Sequence, residues 1–202
     1  MNAVAAPLLG LILCGGAGTR VGGADKPLLA WQNGTLLDAV VEKIAPQVDA
    51  LVLSANRNLD QYRRRGVVVT DDWSDYQGPL AGLASVLLHY QTAAGSPAAA
   101  PQRYLVCPGD MPLLPDDLGQ RLSEGYVTGE PRYVHDGERA QPLCMICDDT
   151  ALPSLQHYLD NSARSVLGWL ECTGARPVPF NNPAAFANFN TLEQLQQSRK
   201  PT

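Results

Sequence analysis

The feature that most constrains the fold of this chain is a short apolar run that ends abruptly in glycines. Residues 8–13 read LLGLIL, and Gly15 and Gly16 follow directly after Cys14. A continuous apolar run of this length, closed by glycines, is typical of a β-strand that is buried on both faces. Such strands belong to sheets with helices on both sides, so the run predicts a mostly parallel central sheet.

Later segments alternate between short apolar strands and helix-like stretches. The predicted strands after the first are 51–53, 67–69, 104–107, 133–135 and 143–147, and the predicted helices are 36–44, 62–65, 80–90, 115–122, 151–159, 165–170 and one after Thr191. This alternation, joined by right-handed crossovers, predicts an α/β fold: a Rossmann-like, three-layer α/β/α domain with a mostly parallel twisted sheet. Ligands of such folds bind at the carboxyl ends of the strands.

Composition narrows the function. The 202 residues, 45% of them apolar, suit one domain over 1–202. Fifteen Lys and Arg against twenty Asp and Glu give a formal charge of -5 without basic blocks, so no nucleic-acid partner is expected. The first apolar run lacks the charged start of a signal peptide, and no stretch reaches the ~20 apolar residues of a membrane span. We therefore expect a cytoplasmic protein with no membrane partner.

The five cysteines suit reduced thiols better than a disulfide framework, because they are odd in number and stand mostly in apolar runs. Cys144 and Cys147 form a lone CxxC. The three histidines are scattered far from this pair, so a zinc site lacks its other two ligands.

The most informative segment is 13–29, LCGGAGTRVGGADKPLL. Its glycines free backbone amides to approach phosphate oxygens, and Arg20 and Lys26 supply positive charge. Gly23 is not followed by the Lys-Ser or Lys-Thr of a P-loop, and Val21 stands where a dinucleotide fingerprint needs its third glycine. The alternative, a plain glycine turn, would leave both cations unexplained beside a buried strand.

Two acidic residues follow predicted strands at the ligand-bearing edge. Asp110 ends the strand 104–107 in the segment CPGDMP, where its carboxylate would suit Mg²⁺; the alternative is a helix N-cap, a role that Asp116 can also fill. Asp71 follows the strand 67–69 and is the candidate for a nucleotide contact. Asp72 and Asp75 stand further along the same loop, where solvated charge is the ordinary interpretation.

With these residues, the chain resembles the molybdenum cofactor guanylyltransferases, which have the nucleotide-diphospho-sugar transferase-like fold. The resemblance runs nearly end to end. It rests on five segments in the family's order: LCGGAGTRVGGADKPLL, DYQGPLAG, CPGDMP, HDGERAQPL and FANFNTLEQL. The first segment is shared with other nucleotidyltransferases, whereas five together are hard to obtain by chance.

The resemblance implies a role for each matching position. It assigns Arg20, Lys26 and Asp110 to catalysis and Asp110 to Mg²⁺. The implied nucleotide-binding residues are Leu13, Cys14, Gly15, Gly16, Gly23, Lys26, Asp71, Gly82 and Asp110.

The acceptor side is matched by fewer residues. The resemblance implies an acceptor pocket formed with Arg164, Asn188 and Asn190, although the two asparagines equally suit a capping role before the last predicted helix. The chain also departs from the family. Cys14 replaces an alanine, Ser54 stands where an Asn often contacts nucleotide, and an expected Arg-Arg pair is reduced to Arg164.

The implied reaction is transfer of GMP from GTP to the terminal phosphate of molybdopterin, in its molybdenum form, with release of pyrophosphate. Residues up to about 110 would bind the nucleotide and residues 111–202 the acceptor. We expect a monomer that contacts cofactor-delivering and cofactor-receiving proteins transiently. A cytidylyltransferase acting on the same cofactor or on a sugar or polyol phosphate, and a non-catalytic binder of GTP or pterin, are the alternatives.

Overall fold

The computed structural model describes residues 7–15, 25–71, 78–94 and 102–187. Within these ranges the chain forms nine strands and six α-helices. The strands are β1 (Leu8–Leu13), β2 (Ala30–Trp31), β3 (Gly34–Thr35), β4 (Ala50–Ser54), β5 (Val67–Val69), β6 (Arg103–Pro108), β7 (Arg132–His135), β8 (Ala140–Asp148) and β9 (Arg176–Pro179). The helices are α1 (Leu36–Ile44), α2 (Leu59–Arg63), α3 (Pro79–Ala94), α4 (Leu118–Ser123), α5 (Leu152–Asp160) and α6 (Val166–Cys172).

Seven strands form one sheet in the order β5-β4-β1-β6-β8-β7-β9. β1 pairs in parallel with both β4 and β6, and only β8 runs against its neighbours β6 and β7. The mostly parallel sheet predicted from the sequence is therefore confirmed. The chain passes outward from β1 through β4 and β5 and then returns to β6 on the other side of β1. This reversal creates a crevice at the carboxyl end of β1, where doubly wound folds bind ligands.

Both faces of the sheet are buried under helices, which produces the predicted three layers. Along β1, Leu9, Leu11 and Leu13 point into one core, which α3, α5 and α6 cover. Leu8 and Ile12 point into the opposite core, under α1, α2 and α4. The strand therefore reads as a continuous apolar run instead of an alternating one.

Helix α1 begins at the residue that the sequence predicts. The Thr35 side chain accepts a hydrogen bond from the Asp38 amide at 3.2 Å, and the Asp38 carboxylate accepts one from the Thr35 amide at 2.8 Å. This capping box satisfies amides that the first helical turn leaves without partners. Asp38 also pairs with Arg65 at 2.6 Å, and the hydrogen bond from Arg65 lowers the pKa of Asp38 to about 2.

The cysteines of the CxxC pair lie on opposite faces of β8. Cys144 is in the core under α4, with its Sγ 3.7 Å from the Met111 Sδ, whereas Cys147 is in the core under α5. The two thiols therefore cannot share one metal ion. Burial raises the pKa of both, which keeps them protonated at neutral pH.

Several local features differ from the sequence prediction, among them the edge strand β9, which was not predicted. Helix α4 begins at Leu118, because Gln47 caps it from a distance: its side chain accepts from the Gly119 amide at 2.7 Å and donates to the Pro115 carbonyl at 3.0 Å. Asp116, the candidate cap, pairs with Lys43 instead. The short hairpin of β2 and β3 was not predicted.

The helix predicted after Thr191 lies outside the described residues. In the described ranges, no helix is long and apolar enough to cross a membrane.

Candidate functional site

The parallel strands bring several predicted site residues to one edge of the sheet. β1 ends at Leu13, β4 at Ser54 and β6 at Pro108, with Asp110 two residues further on. β1 and β6 also stay joined beyond their last paired residues, because the Gly109 amide donates to the Leu13 carbonyl at 2.9 Å. The loop after β1 and the loop after β6 therefore start side by side.

Lys26 and Asp110 form an ion pair at this edge. The Lys26 Nζ lies 2.6 Å from the Asp110 Oδ2, and the two side chains are 22% and 18% exposed. Lys26 is the first residue of a short 3-10 turn, Lys26–Leu28, that follows the glycine-rich segment. The structure thus joins the cation predicted to bind phosphate and the carboxylate predicted to bind metal, although 84 positions separate them in the chain.

Gly109 permits this meeting. A Cβ added at Gly109 would lie 3.2 Å from the Pro27 side chain and 3.3 Å from the Cys14 Sγ, tighter than ordinary van der Waals contact. Pro27 is buried and comes directly after Lys26. A side chain at position 109 would therefore require the Pro27 ring or the Cys14 thiol to shift by a few tenths of an ångström.

A shallow cleft lies on the other side of β1. Its lining includes predicted nucleotide-binding residues and two polar side chains from the end of β4: Leu13, Gly15, Ser54, Asn56, Asp71 and Gly82. Asp71 is held in place because its amide donates to the Asn56 Oδ1 at 2.9 Å. Four predicted nucleotide-binding residues therefore meet around one cleft, whereas Lys26 is not among the residues that line it.

Gly82 has a packing role at the cleft. A Cβ at this position would lie 2.4 Å from the Ser54 Oγ and 3.5 Å from the Leu13 side chain. Glycine thus lets the first turns of α3 approach the ends of β1 and β4, which forms the floor of the cleft. Its predicted nucleotide contact stays a prediction.

Cys14 is engaged in the sheet. Its amide donates to the Ser54 carbonyl at 2.9 Å, and its buried thiol donates to the Ile12 carbonyl at 3.6 Å. Burial raises the pKa of Cys14 well above its usual value. In this structure the Cys14 amide is used by β4, so the exposed Gly15 is the described glycine of the loop that is placed to meet a phosphate.

The turn between β7 and β8 stands at the same edge, on the far side of β6. Burial raises the pKa of Asp136, but hydrogen bonds from the Gln141 side chain and from the Arg139 and Glu138 amides outweigh it, so the pKa is lowered. These bonds fix the HDGERAQPL segment as a rigid turn. The sequence singled out this segment only through the family resemblance, because the hydrogen-bonding pattern has no signature in composition.

The structure does not bring Arg164 into contact with the pair of Lys26 and Asp110 or with the residues that line the cleft. Its Nη1 donates to the Leu159 carbonyl at 2.9 Å and to the Ala163 carbonyl at 2.7 Å, at the end of α5. These contacts account for the residue as a helix C-cap, so its acceptor role stays a prediction. Five other predicted site residues lie outside the described residues: Gly16, Arg20, Gly23, Asn188 and Asn190.

Comparison with known proteins now identifies the family. The model of the MobA-like NTP transferase domain matches residues 10–173. The chain belongs to the MobA-like NTP transferase family. It is also 36% identical over 196 residues to the molybdenum cofactor guanylyltransferase of Cupriavidus metallidurans, covering 93% of this chain and 92% of that protein.

A solved structure of this family shares the fold. Molybdopterin-guanine dinucleotide biosynthesis protein A from Archaeoglobus fulgidus superposes with a TM-score of 0.72 at 20% identity, covering 95% of this chain and 96% of that one. The predictions of a nucleotide-diphospho-sugar transferase-like fold and of an enzyme of the molybdenum cofactor guanylyltransferase type are therefore confirmed.

One protein of the same fold has been solved with a metal ion. A Mycobacterium tuberculosis protein solved in complex with manganese matches with a TM-score of 0.62 at 17% identity, covering 96% of this chain and 98% of that one. In the part of this transferase that the structure describes, no three His, Cys, Asp or Glu side chains cluster to enclose a metal ion.

Proposed function

We propose that this chain transfers GMP from GTP to the terminal phosphate of molybdopterin, in its molybdenum form, and releases pyrophosphate. The observation that carries the proposal is the 2.6 Å contact between Lys26 and Asp110 at the carboxyl edge of the sheet. It unites two segments, GGADK and CPGDMP, on which the family resemblance rests. The names of the curated relatives support guanine as the base.

In the proposed reaction, an oxygen of the acceptor phosphate attacks the α-phosphorus of GTP in line. A new P–O bond forms, the bond between the α-phosphorus and the bridging oxygen breaks, and pyrophosphate leaves with the electron pair. The acceptor phosphate is already anionic at neutral pH, so no general base and no covalent intermediate are needed. Catalysis then depends on positioning and on stabilising charge.

Lys26 is the described residue that supplies this charge stabilisation. Its side chain is only 22% exposed, so water screens its charge less than at the open surface. Gly15 and Asp71 both line the cleft beside β1. We assign Lys26 to the phosphates and Asp71 to the nucleoside.

The donor chemistry at Asp110 fits Mg²⁺. The residue supplies a hard carboxylate oxygen, and Mg²⁺ usually takes one or two carboxylates together with phosphate oxygens and several waters. We therefore propose that Asp110 holds the ion jointly with the triphosphate of GTP. When bound there, Mg²⁺ neutralises phosphate charge and makes the α-phosphorus easier to attack.

The predicted division of labour is part of the proposal. The nucleotide side comprises residues up to about 110, and the acceptor side residues 111–202, including the turn at Asp136 and the predicted contacts of Arg164, Asn188 and Asn190. The predicted cytoplasmic location, monomeric state and transient partner proteins stay predictions.

The test is an assay of pyrophosphate release. The purified protein is incubated with Mg²⁺, molybdopterin or its molybdenum form, and each of the four NTPs, and the nucleotide-linked pterin is identified by mass spectrometry. Asp110→Asn is expected to abolish release, whereas Asp116→Asn, a matched change of an exposed carboxylate on the same loop, is expected to retain it.

Each outcome separates the candidates. Release with GTP alone supports the guanylyltransferase proposal. Release with CTP instead would transfer the chain to the cytidylyltransferases, and tight GTP binding without pyrophosphate would leave a non-catalytic binder.

A further inference from the structure

Asp25 is a buried acid, next to Lys26, to which the proposed chemistry gives no role. Its side chain is 2% exposed, and both carboxylate oxygens are engaged. The Oδ1 pairs with the Arg57 Nε, and the Oδ2 accepts hydrogen bonds from the Asn58 Nδ2 at 2.8 Å and the Tyr62 hydroxyl at 3.3 Å. With both oxygens engaged, the Asp25 carboxylate faces the turn after β4 and helix α2.

All three partners of Asp25 come from one short stretch of chain. Arg57 and Asn58 lie in the turn between β4 and α2, residues 55–58, and Tyr62 is a fully buried residue of α2. Burial raises the pKa of Tyr62, so its hydroxyl remains a protonated donor. Removing a buried carboxylate from such partners is strongly unfavourable, because a charge left without partners in the interior is poorly solvated. The end of the glycine-rich segment is thereby fixed to α2.

This attachment sets the direction of Lys26. The Asp25 carbonyl accepts from the Leu28 amide at 2.9 Å, which makes Asp25 the residue that opens the 3-10 turn carrying Lys26. The Cα of Lys26 is one peptide from the attached residue, so the backbone from which the lysine side chain reaches Asp110 is held in place.

The same turn also braces the other end of the cleft. The Asn56 side chain accepts a hydrogen bond from the Asp71 amide at 2.9 Å, and Asn58, two positions later in the turn, binds Asp25. Asn58 adopts a positive φ of 50°, a conformation that asparagine tolerates better than most residues. One four-residue turn therefore touches both the phosphate side and the nucleoside side of the candidate site.

We propose that Asp25 is a positioning residue: by binding Arg57, Asn58 and Tyr62, it holds Lys26 in register with Asp110 and with the phosphates of the bound nucleotide. The inference rests on the proposed function, since it assumes that Lys26 acts on those phosphates. It predicts that Asp25 affects catalysis only through Lys26.

A double-mutant cycle tests this dependence. Asp25→Asn is expected to lower kcat/KM for GTP by about 10- to 100-fold, and Lys26→Ala by about 10²- to 10³-fold. In the double variant the change at Asp25 is expected to add less than about threefold to the loss from Lys26→Ala, because residues that act as a unit are not additive. Fully additive losses would overturn the inference.

Asp38→Asn is the matched control. It also breaks an ion pair between a carboxylate and an arginine near α2, that of Asp38 with Arg65, but outside the cleft. It is expected to lower the melting temperature without changing kcat/KM. If Asp25→Asn changed stability and left kcat/KM unchanged, Asp25 would be structural only.

Two arrangements keep the test decisive. If Asp25→Asn fails to fold, Tyr62→Phe takes its place, because it removes only one hydrogen-bond donor to the carboxylate. Tyr62→Phe is expected to lower kcat/KM by a few-fold when Lys26 is present. In the Lys26→Ala background it is expected to leave kcat/KM unchanged. If the wild-type protein releases no pyrophosphate, the proposed function fails on its own. The same cycle is then measured as the Kd for GTP by calorimetry, where additivity again refutes the positioning role.

Discussion

Replacing Lys26 with methionine is expected to move metal binding and catalysis in opposite directions. In the protein without nucleotide, the Lys26 ammonium occupies an oxygen of Asp110, the carboxylate proposed to bind the metal. Methionine retains most of the side-chain volume and removes the charge. Asp110 is then open to a divalent cation, whereas the phosphates of GTP lose their neighbouring positive charge.

The expected size of the metal effect follows from the contact. Unit charges separated by 2.6 Å attract by about 6 kcal/mol at an effective dielectric constant of about 20 and by about 1.6 kcal/mol in water. Desolvation and side-chain ordering offset most of this, and exposed pairs contribute at most about 1 kcal/mol. For side chains that are 22% and 18% exposed, we expect about 1.4 kcal/mol, or tenfold tighter binding of a divalent cation.

The assay is a titration with Mn²⁺ in the absence of nucleotide, followed by the electron paramagnetic resonance signal of the free ion. Lys26→Met is expected to bind Mn²⁺ about tenfold tighter than wild type and to lose about 10²- to 10³-fold in kcat/KM. Lys43→Met, which breaks the exposed pair with Asp116, is the control and should change neither quantity. Equal or weaker Mn²⁺ binding in Lys26→Met would refute competition between the ammonium and the metal.

Three further predictions follow from other contacts. Gly109→Ala is expected to lower kcat/KM by about tenfold with a small loss of stability, because the added methyl crowds Pro27, the residue after Lys26. Steady-state kinetics measures the first effect and thermal melting the second. The pKa of Asp38 is lowered to about 2, so the ionised carboxylate stabilises the fold above about pH 4, and this stabilisation is lost as the pH falls toward 2. We expect it to amount to about 1 kcal/mol after solvent screening, because Asp38 is 40% exposed. Over that pH range the melting temperature of Asp38→Asn should fall less than that of the wild-type protein. Iodoacetamide at pH 8 should label exposed Cys172 alone in the native protein, as read by mass spectrometry, and labelling of Cys14 would contradict its buried position.

The backbone of the site was predictable because its signals are local. The apolar run of β1, the glycines after it and the position of Asp110 behind another apolar strand each show in a few consecutive residues. Parallel pairing then places the ends of β1 and β6 together, whereas the contact between Lys26 and Asp110 was not predicted.

The supporting contacts were not predictable, because each joins residues that are far apart in the chain. Asp25 meets Asn58 and Tyr62 across 33 and 37 positions, and Gln47 caps α4 across 72. No composition or periodicity marks such pairs, so the sequence could assign no role to Asp25 and offered Asp116 as a cap. The tight fit at Gly109 is equally hidden, since it depends on Pro27 and on the thiol of Cys14.

The structure shows what surrounds Ser54, the position at which this chain departs from the family's Asn. The family's strand often ends there in Asn, whereas here a small side chain faces Gly82, whose added Cβ would lie 2.4 Å from the Ser54 Oγ. A longer residue at position 54 would have to displace α3 or extend into the cleft. The nearest amide side chain is instead that of Asn56, which lines the cleft and holds Asp71. The turn that binds Asp25 through Asn58 therefore also presents the Asn56 side chain to the cleft.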